Sequence, residues 1–458
     1  MEQGIDIALG FKLTIGKVNL NEIVYRLKEV RDSLMLEVLE KVLVWYDAEI
    51  GERLSRTDIY PSNARKGLGR HLRKADTEQR YCRGRKVRKM GYQGRQRRIK
   101  TVFGTLSIRV RQVECCRCGK RYAPLLQALD IAAYARRECN VEHAVTEAVI
   151  DTNYRRLIDG RSIDISLGGI HNIVVGSDIG QVLEEPVDLN ELAGIMADGT
   201  GVKQKKGTKG ELRAVIGITR AGRVKPLGCF TNTDWSTVEA ETRQRLKQEQ
   251  KHGTEEDGTI PFVYDGEPGL DTFLADVTET QRCTWHAARG VYHALWEDGV
   301  KKKQSQPHIN NVKQLVGIEL PAGDFELLQE ADKEAVRSKY MASKEELEEL
   351  VNTFRQKGYQ QGATYLENLA KKLFTHVEIW LKTGVIAPKT TSLLERVFRE
   401  IGRRLKRIAW GWSDKAVTNL SKMIMIRQYS RNKWEQFWKK KLGIKGFFEI
   451  KVLSVSIP

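Results

Sequence analysis

The sequence predicts a multidomain α+β protein in which a mixed α/β sheet is preceded by a basic, largely helical region. Three observations carry that expectation. At 458 residues the chain exceeds one ordinary core. Between residues 190 and 298, short apolar runs come first as hairpin strands and then alternate with helical patterns, the rhythm of a mixed sheet. The net charge of +18 is spread unevenly, with its densest block upstream of that sheet.

The first region, 1–60, is helical. Ile23, Leu27, Val30, Leu34, Val38, Val42 and Trp45 recur three and four residues apart, which predicts one helix over 20–54. It either packs on its own domain or serves as a dimerisation helix. Residues 61–135 form a basic, β-containing region. Fifteen Lys and Arg lie between Arg65 and Lys100, opposed only by Asp76 and Glu78. Such a field attracts a polyanion, and nucleic acid is the natural one. Arg83, Arg85, Lys86, Arg88, Lys89, Arg95, Arg97 and Arg98 are the candidate phosphate contacts. A solvated linker is the alternative. A half-buried strand follows over 101–113, with Val102, Leu106, Ile108 and Val110 inward and Arg109 and Arg111 on the wet face.

Cys115 and Cys118 have the C-x-x-C spacing of a zinc knuckle, and Cys139 and His143 are candidates to complete a closed tetrahedral Zn²⁺ site. The alternative is that the second pair merely shares a helix face. Seven scattered cysteines favour thiols or metal over disulfides. Residues 136–185, a helix, the polar turn around Asp159-Gly160 and a second helix from Leu167, have a helix-turn-helix pattern.

The sheet domain is assigned to 190–298 and 389–440, interrupted by a highly charged, helix-prone insertion over 299–388 and followed by a tail, 441–458. Two short apolar runs end in Asp198-Gly and Asp265-Gly, which predicts two strands opening into turns. Glu395 lies in an arginine-rich helical stretch. Two strand-end aspartates and one helical glutamate in a basic protein suggest a phosphodiester site with two Mg²⁺ ions, for which Mn²⁺ can substitute. Hard oxygen ligands suit such ions, and a metal pair activates the attacking oxygen and stabilises the leaving one. Glu267 is a spare acid beside Asp265. Arg399 and Arg403, four and eight residues beyond Glu395, share its helical face and are candidates to hold phosphates. Trp410 and Trp412 are either core or base-stacking residues.

The ordered set Asp198-Gly-Thr-Gly, Tyr264-Asp-Gly-Glu, Cys283-Thr-Trp-His286, a long helical block and Leu394-Glu-Arg-Val-Phe-Arg with Arg403-Arg404 resembles the DDE transposases of prokaryotic insertion sequences. The resemblance spans roughly 65–440 and is strongest to the Mutator-like groups, whose second acid is followed by C-x-x-H. It implies a ribonuclease-H-like core with an all-helical insertion. It also implies Asp198, Asp265 and Glu395 as catalytic metal ligands, with Cys283 and His286 beside them. The implied activity is metal-dependent cleavage at transposon ends and transfer of the 3′-hydroxyls to target DNA. The expected partners are double-stranded DNA (terminal inverted repeats and target) and further copies of the chain, as a homodimer or larger. A non-catalytic DNA-binding regulator and a nuclease without strand transfer are the alternatives. No run reaches the roughly 18 apolar residues of a membrane span, and the first residues lack a signal-peptide pattern. The expectation is therefore a cytoplasmic, nucleoid-associated protein.

Overall fold

The computed structural model describes residues 20–56, 87–117, 119–129, 131, 134–160, 163–204, 209–247, 260–405 and 411–444. The chain divides into two compact units, 1–149 with 154–170, and 150–153 with 171–458. Arg83, Arg85, Lys86, Cys118 and Trp410 lie outside the described residues.

The first unit opens with α1, Leu20–Arg56, close to the predicted span. Only its C-terminal half is seated: Leu43 and Ile50 are buried, whereas Ile23, Leu27 and Val30 stay exposed. Next come β1 (Val87–Tyr92), β2 (Arg97–Thr101), β3 (Gly104–Ile108), β4 (Arg111–Cys115) and β5 (Arg121–Tyr122), then α2 (Pro124–Ala128). The strand expected over 101–113 is thus two strands with a hairpin before them. Val102 sits in the β2–β3 turn rather than in a strand, because Gly104 at φ +135° lets the chain reverse and pair Thr101 with Gly104. The alternation holds beyond the turn. Leu106, Ile108 and Val110 pack with Leu43 and Ile50 of α1, and Arg109 is exposed. Arg111, expected on the wet face, instead folds back to Asp47 of α1 at 3.5 Å and over the Tyr92 ring. Then follow α3 (Cys139–Asp151), α4 (Tyr154–Asp159) and α5 (Leu167–Gly176). The first helix of the predicted pair is therefore two helices.

The second unit contains β6 (Val187–Asp188), β7 (Leu192–Lys203), β8 (Lys209–Thr219), β9 (Val224–Thr231), α6 (Trp235–Arg245), β10 (Leu246–Lys247), β11 (Ile260–Tyr264), β12 (Thr278–Arg282) and α7 (Thr284–Glu297). Its main sheet has the order β12-β11-β7-β8-β9. The β7–β8–β9 run is antiparallel, while β11 and β12 lie parallel to β7 and to each other. Every residue of β11 is buried, as expected for a strand with parallel neighbours on both sides. Phe262 stacks at 4.9 Å on Phe273 and 5.7 Å on Tyr264. Full burial of each such side chain contributes about 1.5–3 kcal/mol.

The insertion comprises α8 (Lys302–Leu315), α9 (Glu330–Gln356), α10 (Gln360–Ala370) and α11 (Thr375–Thr383). Its own core gathers Ile318, Phe354, Leu366 and Trp380 against Val291 and Leu295 of α7. The stretch between α10 and α11 runs along β12. The Arg282 N–H donates to the Lys372 carbonyl at 2.7 Å, Gln281 Nε2 to the Leu373 carbonyl at 2.7 Å, and Thr375 Oγ1 to the Thr280 carbonyl at 2.8 Å. The chain then completes the unit with α12 (Ser392–Leu405), α13 (Asp414–Tyr429) and α14 (Arg431–Lys441). Among the described residues no helix is long and apolar enough to cross a membrane.

Candidate active site

Asp198 does not end its strand. β7 continues to Lys203, paired throughout with β8, and Asp198 lies opposite Ala214. The glycines after it look like turn residues in sequence, but here they keep the ribbon extended. Gly199 leaves room for two carboxylates: a Cβ there would come within 2.5 Å of Glu211 Oε1 and 3.3 Å of Glu267 Oε2, so those side chains would have to move. On the other flank the strand does lose its neighbour. β11 pairs Val263 with Met196 and stops at Tyr264, so the register puts Asp265 level with Asp198 just as the parallel pairing ends. The two aspartates thus stand side by side where β11 ends against the central strand β7.

Glu395 lies in the first turn of α12, and His286, which also feels Asp265, links it to the aspartates. A helix N-terminus favours a carboxylate in that turn. Leu394, Val397, Ile401 and Leu405 bury one face of this helix, leaving Arg396, Arg399 and Arg403 exposed. Arg403 pairs with Glu400 at 2.7 Å. The helix start is fastened to α7. Cys283, which precedes α7, is buried and its Sγ accepts from both the N–H and the Oγ1 of Thr391 at 3.4 Å. The Thr391 carbonyl in turn accepts the Glu395 N–H at 3.0 Å. His286, one turn into α7, brings its Nε2 to 3.7 Å from Glu395 Oε1. The C-x-x-H pair therefore divides its work: the cysteine anchors the third acid's helix, and the histidine touches the acid itself.

The electrostatics follow from this crowding. Asp198 is buried beside Asp265, and its carboxyl is pushed up to about 7, first by desolvation and then by the neighbouring negative charge. The Cys283 thiol raises the His286 imidazole, and Asp265 and Glu395 add to this against the cost of burial. Burial opposes the Cys283 thiolate, yet His286 and Thr391 bring the thiol below its usual range. Burial raises Glu267 as well.

Among the described residues, no three His, Cys, Asp or Glu side chains are drawn together as a metal-holding group, the three acids included. Of the zinc candidates, Cys115 ends β4 and is buried, Cys139 opens α3, and His143 pairs with Glu147 at 3.6 Å. Trp412 is a core residue, 6% exposed, whose Nε1 donates to the Leu405 carbonyl. Arg88, Lys89, Arg95 and Arg98 of the first unit are exposed and Arg97 is half-buried, its Nη2 donating to the Ala135 carbonyl at 2.7 Å.

Sequence reasoning undervalued Glu267, Arg213 and Trp235. The Trp235 indole N–H donates to Glu267 Oε1 at 2.6 Å, and Arg213 lies 4.6 Å from the centroid of the Trp235 ring. The local signal was limited to Glu267 lying two residues after Asp265.

No family model and no curated protein matches this sequence. Among solved structures, the Drosophila P element transposase strand transfer complex is similar with a TM-score of 0.36 and 10% identity, covering 62% of this chain and 92% of that one. Likeness at that level carries no argument about what this chain does.

Proposed function

We propose that the chain is a DNA transposase with a ribonuclease-H-like core that cleaves phosphodiester bonds at transposon ends and joins the freed 3′-hydroxyls to target DNA. The observation that carries this reading is the pairing of two distant aspartates side by side where β11 ends, with His286 linking their surroundings to Glu395. Asp265 lies level with Asp198, and Glu395 is tied in through His286. The sheet order supports it too, with three antiparallel strands followed by two parallel ones, the first acid within β7 and the second just past the end of the adjacent β11. The exposed arginines of β1, β2 and the loop between them suit a DNA partner.

The donor set fits divalent cations. All three groups offer hard carboxylate oxygens, and the burial and then the Asp265 charge that lift Asp198 toward neutrality would both be offset by a dication. Two such ions, when bound, supply activation of the attacking oxygen and stabilisation of the leaving one. In this reading Asp198, Asp265 and Glu395 hold them, and Arg399 and Arg403 orient the scissile strand through its phosphates. His286 balances the acids until substrate arrives. The chemistry consists of two displacements. A water oxygen first bonds to phosphorus as the 3′ oxygen of the transposon end leaves, taking a proton. That 3′ oxygen then bonds to a target phosphorus, displacing the target's own 3′ oxygen.

The test is Asp198→Asn. DNA-end binding by gel shift should be retained while strand cleavage in Mg²⁺ disappears. Cleavage that persists in this variant would sink the assignment and leave DNA binding as the chain's function.

A further inference from the structure

We propose that Glu267 is a positioning residue, clamped by Trp235 and Arg213 so that its backbone fixes the carboxylate of Asp265. This rests on the reading of Asp265 as a metal ligand. The segment Asp265-Gly-Glu267 leaves β11 through Gly266 at φ +109°, a conformation that L side chains rarely adopt. A loop built on such a glycine needs outside fastening to hold a side chain still.

Three fastenings are present. The Glu267 N–H donates to Asp265 Oδ1 at 2.9 Å, so wherever the Glu267 backbone goes the aspartate's carboxylate is directed. The Glu267 side chain is held in turn by the Trp235 indole N–H at 2.6 Å and by Arg213 Nη2 at 3.6 Å. On the far side Arg282 Nη2 donates to the Asp265 carbonyl at 3.1 Å and lies so close to Gly266 that a Cβ there would sit 1.9 Å from it.

The clamp itself is rigid. Trp235 is 6% exposed and meets Phe273 edge-on at 6.0 Å. Arg213 is committed twice over, to Glu211 Oε2 at 2.7 Å and to the Thr233 carbonyl at 2.7 Å. Glu267 Oε1 accepts the indole N–H and faces Arg213, so that oxygen belongs to the clamp. Supporting groups of this kind typically change metal affinity about 10–100-fold when removed.

The experiment measures Mn²⁺ binding by electron paramagnetic resonance on the full chain. It compares wild type, Glu267→Ala, Glu267→Gln and Asp198→Asn, with hydrogen exchange of the 261–270 segment recorded in parallel. Glu267→Ala should weaken Mn²⁺ binding about tenfold or more and speed exchange in that segment. Glu267→Gln, whose amide oxygen still accepts the indole N–H, should stay within about threefold of wild type on both readouts. Wild-type Mn²⁺ affinity in Glu267→Ala, alongside loss in Asp198→Asn, overturns the proposal. Equal loss in Glu267→Ala and Glu267→Gln with unchanged exchange overturns it also, by making the carboxylate a ligand. If Asp198→Asn binds Mn²⁺ like wild type, the metal-site reading fails instead. The clamp then stands only if exchange quickens in Glu267→Ala and not in Glu267→Gln.

Discussion

The two units treat charge in opposite ways. In the first, Arg88, Lys89, Arg95, Arg98 and Arg109 stand in water, while Ile99, Leu106, Ile108 and Val110 turn inward. In the second, the decisive charges are drawn in: Asp198 is 8% exposed in the middle of a sheet, with Asp265 beside it. Long cationic side chains cost little to keep hydrated, and they meet phosphates by displacing counterions. A carboxylate withdrawn from water is raised first by that burial, and it then feels a neighbouring charge through a weaker dielectric, as Asp198 feels Asp265. The contrast separates a surface suited to holding a polyanion from a site suited to concentrating field at one point.

The largest expected effect lies in the acids of the second unit. Glu395→Ala should lower Mg²⁺-dependent cleavage by about 10²–10³-fold, the scale seen when one group stabilising transition-state charge is removed. A gel-based cleavage assay reads it, and a decrease of only a few-fold would move Glu395 out of the site. Next comes the exposed set. Replacing Arg88, Arg95 and Arg98 together by Ala should weaken DNA binding and flatten the log–log salt dependence by up to about 2.7, at about 0.9 for each phosphate that is no longer neutralised. Fluorescence anisotropy across a salt series measures this, and an unchanged slope would return that surface to the role of a solvated face.

A smaller effect concerns pH. Asp198 has its carboxyl raised from 3.8 to about 7 in the folded chain, so between those values the folded state binds more protons than the unfolded one. Stability must then fall as pH rises through that window. Without divalent cations, Asp198→Asn should melt above wild type at pH 8, and the difference should vanish near pH 4. Equal melting temperatures at both pH values would show that the aspartates do not strain the fold. The smallest effect is Leu27→Ala on the exposed part of α1, which should change stability by less than about 0.5 kcal/mol. A larger loss that depends on protein concentration would identify that face as covered by a second copy, the dimerisation role open in the sequence.

Much of this was legible in residues alone, for reasons that can be named. α1 announced itself through spacing, and β11 through an unbroken apolar run. β7 misled because Gly199-Thr-Gly201 has the composition of a turn. What keeps it extended is its pairing with β8. Val102 misled for the reverse reason, being a strand-former placed in a turn by the glycine two residues on. Glu395 was nearly invisible as a local pattern. Its partners, His286 directly and Cys283 through Thr391, are more than a hundred residues away in sequence. Such a contact is encoded only by how the insertion folds back.

That folding back has a consequence for the shape of any ancestor or shortened form. The β12 strand lies at the rim of the sheet, and residues 372–375 occupy part of the hydrogen-bonding groups and side chains along it. A chain trimmed of its helical insertion would expose an unprotected strand, the template on which edge-to-edge aggregation begins. The insertion thus covers part of that rim of the sheet.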